Sequence, residues 1–283
     1  MSASPRARAT SLRSTVARFG LAVVTLVCLT GCSSLVNGAA FHPTKGRREV
    51  FRAEWGRELW LEAEDGVSIE AFLFENPNAE QTLLYFHGNA GHAGHRFASA
   101  RTLSRLGINV LLVSYRGYGN SDGSPSETGL YRDGRAALRY LREDLGVPLE
   151  NVVVFGRSIG SAVAVEVARG QPVAGVVLVT PVSSGRDLAR ELGFGWLGWL
   201  AGNPFDNVKK LPEVLAPTLV IVAERDQITP AWMGSKLHEA APQPAAFHRL
   251  RGADHNNLEQ VARRQYFTAM AEFLQLIGAR ATP

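Results

Sequence analysis

Val152-Val-Val-Phe155-Gly-Arg-Ser158-Ile-Gly160-Ser161, followed by Ala162-Val-Ala-Val-Glu-Val-Ala168-Arg, decides how this chain folds. Four apolar residues, three of them β-branched, read as a parallel strand buried on both faces. The apolar run after Ser161 opens a helix. Between them stands Gly-x-Ser-x-Gly, at a strand-to-helix turn. In that setting the pattern predicts a nucleophile elbow, a tight turn that lifts the Ser158 hydroxyl above the sheet. Gly156 and Gly160 belong to the prediction, because side chains there would collide where strand and helix pack. With 28 glycines in 283 residues the five-residue pattern alone carries little. Its flanks carry the reading, provided an acid and a histidine follow in order.

Working outward, Thr82–Phe86, Asn109–Tyr115, Val173–Val179, Thr218–Ala223 and Ala245–Leu250 read as further strands. Helix-length segments separate them, at about 92–106, from 126 to beyond 141, and at about 257–277. The second should present Leu130, Ala137, Leu138, Leu141 and Leu145 on one face. Upstream, Glu58–Ala63 and Val67–Phe74 flank Asp65-Gly66, a hairpin signal. The expectation is one α/β domain over residues 57–283. Its sheet of about eight strands is mostly parallel and covered by helices on both faces, with polar loops at the carboxyl ends of the strands as the ligand edge.

That edge supplies the partners a serine nucleophile needs. Asp226 follows the strand ending at Ala223, and His255 follows the strand ending at Leu250. The order Ser158, Asp226, His255 is the α/β-hydrolase order. Glu224 is the rival acid, lying nearer its strand. His238 belongs to a helix and His248 to a strand, so neither is placed to reach Ser158. Oxyanion donors are expected from the backbone N–H of Ile159 and from Asn89, in the loop after Phe86. His87 reads as a residue that holds that loop.

Leu83-Leu-Tyr-Phe-His-Gly-Asn-Ala-Gly91, Tyr115-Arg-Gly-Tyr-Gly-Asn-Ser-Asp-Gly-Ser-Pro-Ser-Glu127 and Phe155-Gly-Arg-Ser-Ile-Gly-Ser161 together resemble the bud-emergence-like branch of the α/β-hydrolase superfamily. That branch includes α/β-hydrolase-domain-containing protein 13 and related protein depalmitoylases. The resemblance covers about residues 58–275. It implies a serine hydrolase acting on esters or thioesters without a cofactor, with Ser158, Asp226 and His255 as triad and Asn89 and Ile159 as oxyanion donors. Two features depart from it: Ala223-Glu224 where a glycine is usual near the acid, and a distinct composition between the sixth and seventh strands. Peptide or amide cleavage by the same triad, and a binding lipoprotein that uses the fold without catalysis, stand as alternatives.

Within that distinct segment, residues 183–203 contain Phe194-Gly-Trp196-Leu-Gly-Trp199-Leu200, where a cap over the site is expected. Trp196 and Trp199 either line an acyl pocket or pack into the core. His87, His92 and His95 lie close in sequence, but a loop and a helix start do not promise convergent geometry, so no metal is expected. Gly117-x-Gly119 lacks the third glycine of a dinucleotide fingerprint, since Asp122 stands there.

The N-terminus differs from the rest. Arg6, Arg8, Arg13 and Arg18 precede an apolar run of 12 residues, Phe19–Thr30, short for a membrane span and suited to a signal peptide. Leu29-Thr-Gly-Cys32 resembles a lipobox. Residues 1–31 are therefore expected to be removed, Cys32 to carry lipid, and 32–56 to form a tether with some docking segments. With Ser33 after the cysteine, the resemblance to bacterial lipoproteins implies a periplasmic protein anchored to the outer membrane. Removing those four arginines from the 30 Lys and Arg leaves 26, equal to the 26 Asp and Glu. The formal +4 is thus no argument for nucleic acid as a partner. Membrane, through lipid on Cys32, and a small-molecule or acylated substrate are the expected partners. Cys28 would leave with the signal, so the mature domain has no thiol for a disulfide or a nucleophile.

Overall fold

In a computed structural model of the chain, residues 41–195 and 203–281 are described. The expected signal peptide, Cys32, Trp196 and Trp199 lie outside them. Among the described residues no helix is long and apolar enough to cross a membrane.

Eight strands form one sheet in the order β1-β2-β4-β3-β5-β6-β7-β8. They are β1 (Gly56–Glu62), β2 (Ser68–Phe74), β3 (Thr82–Phe86), β4 (Asn109–Val113), β5 (Val152–Arg157), β6 (Gly175–Val179), β7 (Thr218–Ala223) and β8 (Pro244–Leu250). β2 runs antiparallel to both β1 and β4, and every pairing from β4 to β8 is parallel. The apolar runs that predicted β3, β5, β6 and β7 are buried, as expected for strands covered on both faces. Tyr85 and Phe155 meet edge to face at 4.4 Å across β3 and β5. The chain order reverses between these two strands, since β4 lies on one side of β3 and β5 on the other. Such a switch point opens a crevice at the carboxyl edge.

Among the described residues the α-helices are α1 (Phe97–Ser104), α2 (Glu127–Arg139), α3 (Gly160–Ala168), α4 (Gly185–Glu191), α5 (Asn207–Lys210), α6 (Ala231–Ala240), α7 (Leu258–Val261) and α8 (Arg263–Ala281). Three depart from expectation. The helix predicted from residue 92 starts as a 3₁₀ turn over Ala93–Arg96, with the His92 ring accepting the Gly94 N–H. α2, capped by Ser126, passes into a π turn over Tyr140–Asp144. Leu130, Ala137, Leu138 and Leu141 are buried as expected, whereas Leu145 lies just past the π turn and is only half-buried. The last predicted helix is two, α7 and α8, divided at Ala262.

The segment read as a tether docks from His42 onward. Thr44 N–H donates to Gly91 O at 3.1 Å, and Gly119 N–H donates to Thr44 O at 2.9 Å. Phe51 then packs against Phe72, Phe74 and Phe97 with ring centroids 5.0–5.3 Å apart. Burial of those rings supplies the driving force for docking.

Candidate active site

β5 delivers Ser158 to the switch point in a left-handed conformation, φ 54°. A non-glycine residue there costs on the order of 1–3 kcal/mol unless its surroundings fix it. They do. Ser158 N–H donates to Val179 O at 2.9 Å, and Ser158 O accepts from Ser161 N–H at 3.0 Å and from Ser161 Oγ at 2.6 Å. Ser161 Oγ in turn accepts the Val182 N–H at 3.1 Å. The flanking glycines allow the close approach this requires. A Cβ on Gly156 would lie 2.6 Å from Ser161 Cα, and one on Gly160 would lie 2.6 Å from His87 O.

Ser158, Asp226 and His255 form one hydrogen-bonded line. His255 Nε2 lies 3.0 Å from Ser158 Oγ, and His255 Nδ1 lies 2.8 Å from Asp226 Oδ2. Each residue is no more than 9% exposed. Burial alone would raise the Asp226 pKa. Hydrogen bonding and charge attraction from His255, together with the N–H groups of Thr229 and Ile228 on Oδ1, outweigh it and hold the carboxyl below its ordinary value. An acceptor on Nδ1 fixes the imidazole tautomer that leaves Nε2 free to take a proton from the hydroxyl. The rival acid Glu224 is exposed and accepts the Gly252 N–H at 2.8 Å. His238 sits in α6 and His248 in β8, away from this line as expected.

The loop after β3 lies against Ser158: a Cβ on Gly88 would be 3.3 Å from Ser158 Cβ. Next in that loop, Asn89 has its side chain held from two sides. Its Oδ1 accepts from His42 N–H at 3.1 Å and from Tyr118 Oη at 2.9 Å. Ile159 stands at the N-terminus of α3, where backbone N–H groups and the helix dipole favour negative charge. His87 is buried, places Nδ1 2.7 Å from Gly88 O, and accepts the Tyr115 hydroxyl on its own carbonyl. Burial pushes its pKa down to about 3, so it is neutral and structural at ordinary pH.

His92 and His95 stack with centroids 4.0 Å apart, and both face Glu49. The three could offer ligand atoms to one ion. The His92 hydrogen bonding points to another role. Its Nδ1 accepts the Gly94 N–H, so the ring proton resides on Nε2, the atom 3.4 Å from Glu49 Oε2. Nε2 then turns its N–H toward the Glu49 carboxylate as an electrostatic contact, without a hydrogen bond to Oε2, and the cluster works as a clamp on the docked segment.

Sequence reading missed several residues around the site. Thr229 contacts both Asp226 and His255. Its only signal was its place three residues beyond an Asp, where an Asx turn forms. Arg157, the residue before Ser158, ties to the His255 loop, and Ser161 braces the elbow.

Residues 77–209 match a family described as serine aminopeptidase, S33. Protein bem46 of Schizosaccharomyces pombe is 34% identical over 263 residues, covering 85% of each chain. The chain belongs to the α/β-hydrolase family. Human alpha/beta hydrolase domain-containing protein 17B agrees, at 33% identity over 205 residues, 70% of this chain and 68% of that one. Among solved structures, the Pyrococcus furiosus esterase PF2001 superposes with a TM-score of 0.69 over 83% of this chain and 97% of its own, at 18% identity. That likeness is one of fold. An alpha-beta hydrolase from Vibrio vulnificus gives 0.63 at 25% identity, covering 75% of this chain and 80% of its own. Both the bud-emergence-like resemblance and the expected α/β-hydrolase sheet are therefore correct, and the chain is a hydrolase.

Proposed function

We propose that this α/β-hydrolase is a serine hydrolase that cleaves carboxylic ester or thioester bonds through an acyl-enzyme on Ser158. The hydrogen-bonded line from Ser158 Oγ through His255 to Asp226 carries the reading. Ser158 Oγ attacks the carbonyl carbon while His255 Nε2 takes its proton. The carbonyl electron pair moves to the oxygen, where the N–H groups of Ile159 and Asn89 receive the charge. As the tetrahedral centre collapses, His255 returns the proton to the departing alcohol or thiol. Water repeats the sequence and frees the acid and Ser158.

Trp196 and Trp199 are proposed to line the acyl pocket. Phe194, two residues before Trp196 in sequence, is 56% exposed and adds apolar surface to the same segment. Lipid on Cys32 is proposed to hold the mature protein at the periplasmic face of the outer membrane. Peptide mass spectrometry of the native N-terminus checks this, with diacylglyceryl-Cys32 expected and a retained Phe19–Thr30 segment against it.

A panel of p-nitrophenyl esters, acyl thioesters and aminoacyl p-nitroanilides tests the reaction class. Turnover of esters or thioesters that is lost in Ser158→Ala is the expected result. The family's serine aminopeptidase description favours a second reading, in which the same residues cleave an N-terminal peptide bond. Faster turnover of the anilides than of any ester would select it.

A further inference from the structure

The Thr229 hydroxyl has more partners than it has hydrogens. Its Oγ1 lies 3.0 Å from Asp226 Oδ2, 3.0 Å from Thr180 O and 3.1 Å from His255 Nδ1. A threonine hydroxyl donates one hydrogen and accepts on two lone pairs. Asp226 Oδ2 and Thr180 O are both acceptors, so the hydrogen can serve only one at a time. His255 Nδ1 carries a proton whenever Nε2 accepts from Ser158, so toward Nδ1 the hydroxyl can only accept.

The surroundings make both orientations available. Thr180, the residue after β6, has φ 43°, a left-handed turn in a non-glycine residue. Its N–H is tied to Ile221 O at 2.7 Å and its carbonyl receives the Thr229 hydroxyl. Asp226 keeps two backbone donors on Oδ1, from Ile228 and Thr229, and so remains held when the hydroxyl turns away. Thr229 is itself 1% exposed, so water does not compete for these positions.

We propose that Thr229 is a positioning residue whose hydroxyl turns with the charge on His255. This rests on the serine-hydrolase reading above. While His255 is neutral, the hydroxyl hydrogen lies on the Asp226 carboxylate, a charge-assisted bond. When His255 Nε2 takes the Ser158 proton, the hydrogen turns to Thr180 O. A lone pair then faces the Nδ1–H of the imidazolium beside Asp226 Oδ2. No proton leaves Thr229 in either direction. The gain arises only as positive charge develops on the ring, so it lowers the barrier and leaves ground-state binding alone.

The test compares the wild type, Thr229→Val, Thr229→Ser and Ser158→Ala on one p-nitrophenyl ester, across pH, with thermal melts. Valine matches threonine in shape and keeps the backbone N–H on Asp226 Oδ1. Thr229→Val should lose about ten- to a hundredfold in kcat, the rate equivalent of one hydrogen bond to a charged group. Its KM should stay level, and the acid limb of its kcat/KM profile should move to lower pH by about half a unit or more, because protonated His255 has lost an acceptor. Thr229→Ser should restore both rate and limb. An unmoved limb, or a limb moved to higher pH, overturns the proposal. The latter is what a hydroxyl serving only as a donor to Asp226 would give. Wild-type turnover equal to that of Ser158→Ala would instead overturn the serine-hydrolase reading.

Discussion

Arg157 Nη2 donates to the backbone carbonyl of His255 at 2.9 Å, joining the residue before the proposed nucleophile to the proposed base. Arg157 Nη1 also faces Glu259 at 3.5 Å, and Glu259 accepts the Ser99 hydroxyl at 2.8 Å. The strap fixes the His255 loop against β5 and α1. Misplacing a reacting group by about 1 Å can cost on the order of a hundredfold. Arg157→Met, which keeps the apolar stem, should therefore lower kcat by about that factor with KM nearly unchanged. Steady-state kinetics beside a thermal melt checks it. A wild-type kcat in a folded variant would remove the strap from the account.

The proposed acid can be separated from its rival by two isosteric changes. Asp226→Asn should reduce kcat by about 10³–10⁴-fold, because an amide cannot hold the imidazole in the working tautomer. Glu224→Gln should stay within about twofold of wild type, since its carboxylate reaches the Gly252 N–H at the surface. Ester turnover by the two purified variants decides between them, and the reverse pattern would reassign the acid.

Gly160 and Gly278 give opposite expectations for the same change to alanine. At Gly160 a Cβ would meet the carbonyls that end β3, backbone that cannot move aside. Gly160→Ala should therefore cost about 3 kcal/mol or more. At Gly278, in α8, the nearest atom to a Cβ is Gln81 Nε2 at 3.8 Å. Gly278→Ala should stabilise by about 0.5–1 kcal/mol through helix propensity. Urea melts measure both.

His87 predicts an acid-sensitive stability. Its pKa falls from an ordinary 6.5 to about 3 on folding, because burial penalises the charged ring. Between those values the unfolded chain binds more protons. The contribution of neutral His87 is complete above pH 6.5 and is lost as pH falls toward 3. The slope approaches about 1.4 kcal/mol per pH unit. The stability difference between wild type and His87→Gln should change with pH through that window. A difference that stays constant from pH 4 to pH 7 would contradict it.

The sheet was legible because parallel strands covered on both faces must be continuous apolar runs, and Val152–Phe155, Val176–Val179 and Thr218–Ala223 are such runs. The three residues of the hydrogen-bonded line were legible because strand, turn and chain order restrict which polar residues reach one edge. Other features left no such trace. The π turn after Arg139 has no composition of its own. Residues 43–46 dock through backbone groups, which any sequence possesses. Glu49 meets His92 and His95 across a separation that no local pattern spans. Thr229 and Arg157 act through contacts that exist only once three loops have converged.

The central claim is that Ser158 forms the covalent acyl intermediate. Reacting the purified protein with a fluorophosphonate and locating the adduct by peptide mass spectrometry tests it most directly. A single adduct on Ser158 is predicted, with labelling and ester turnover both lost in Ser158→Ala while its melt stays near wild type. An adduct on another residue, or ester turnover by Ser158→Ala equal to wild type, would contradict the account.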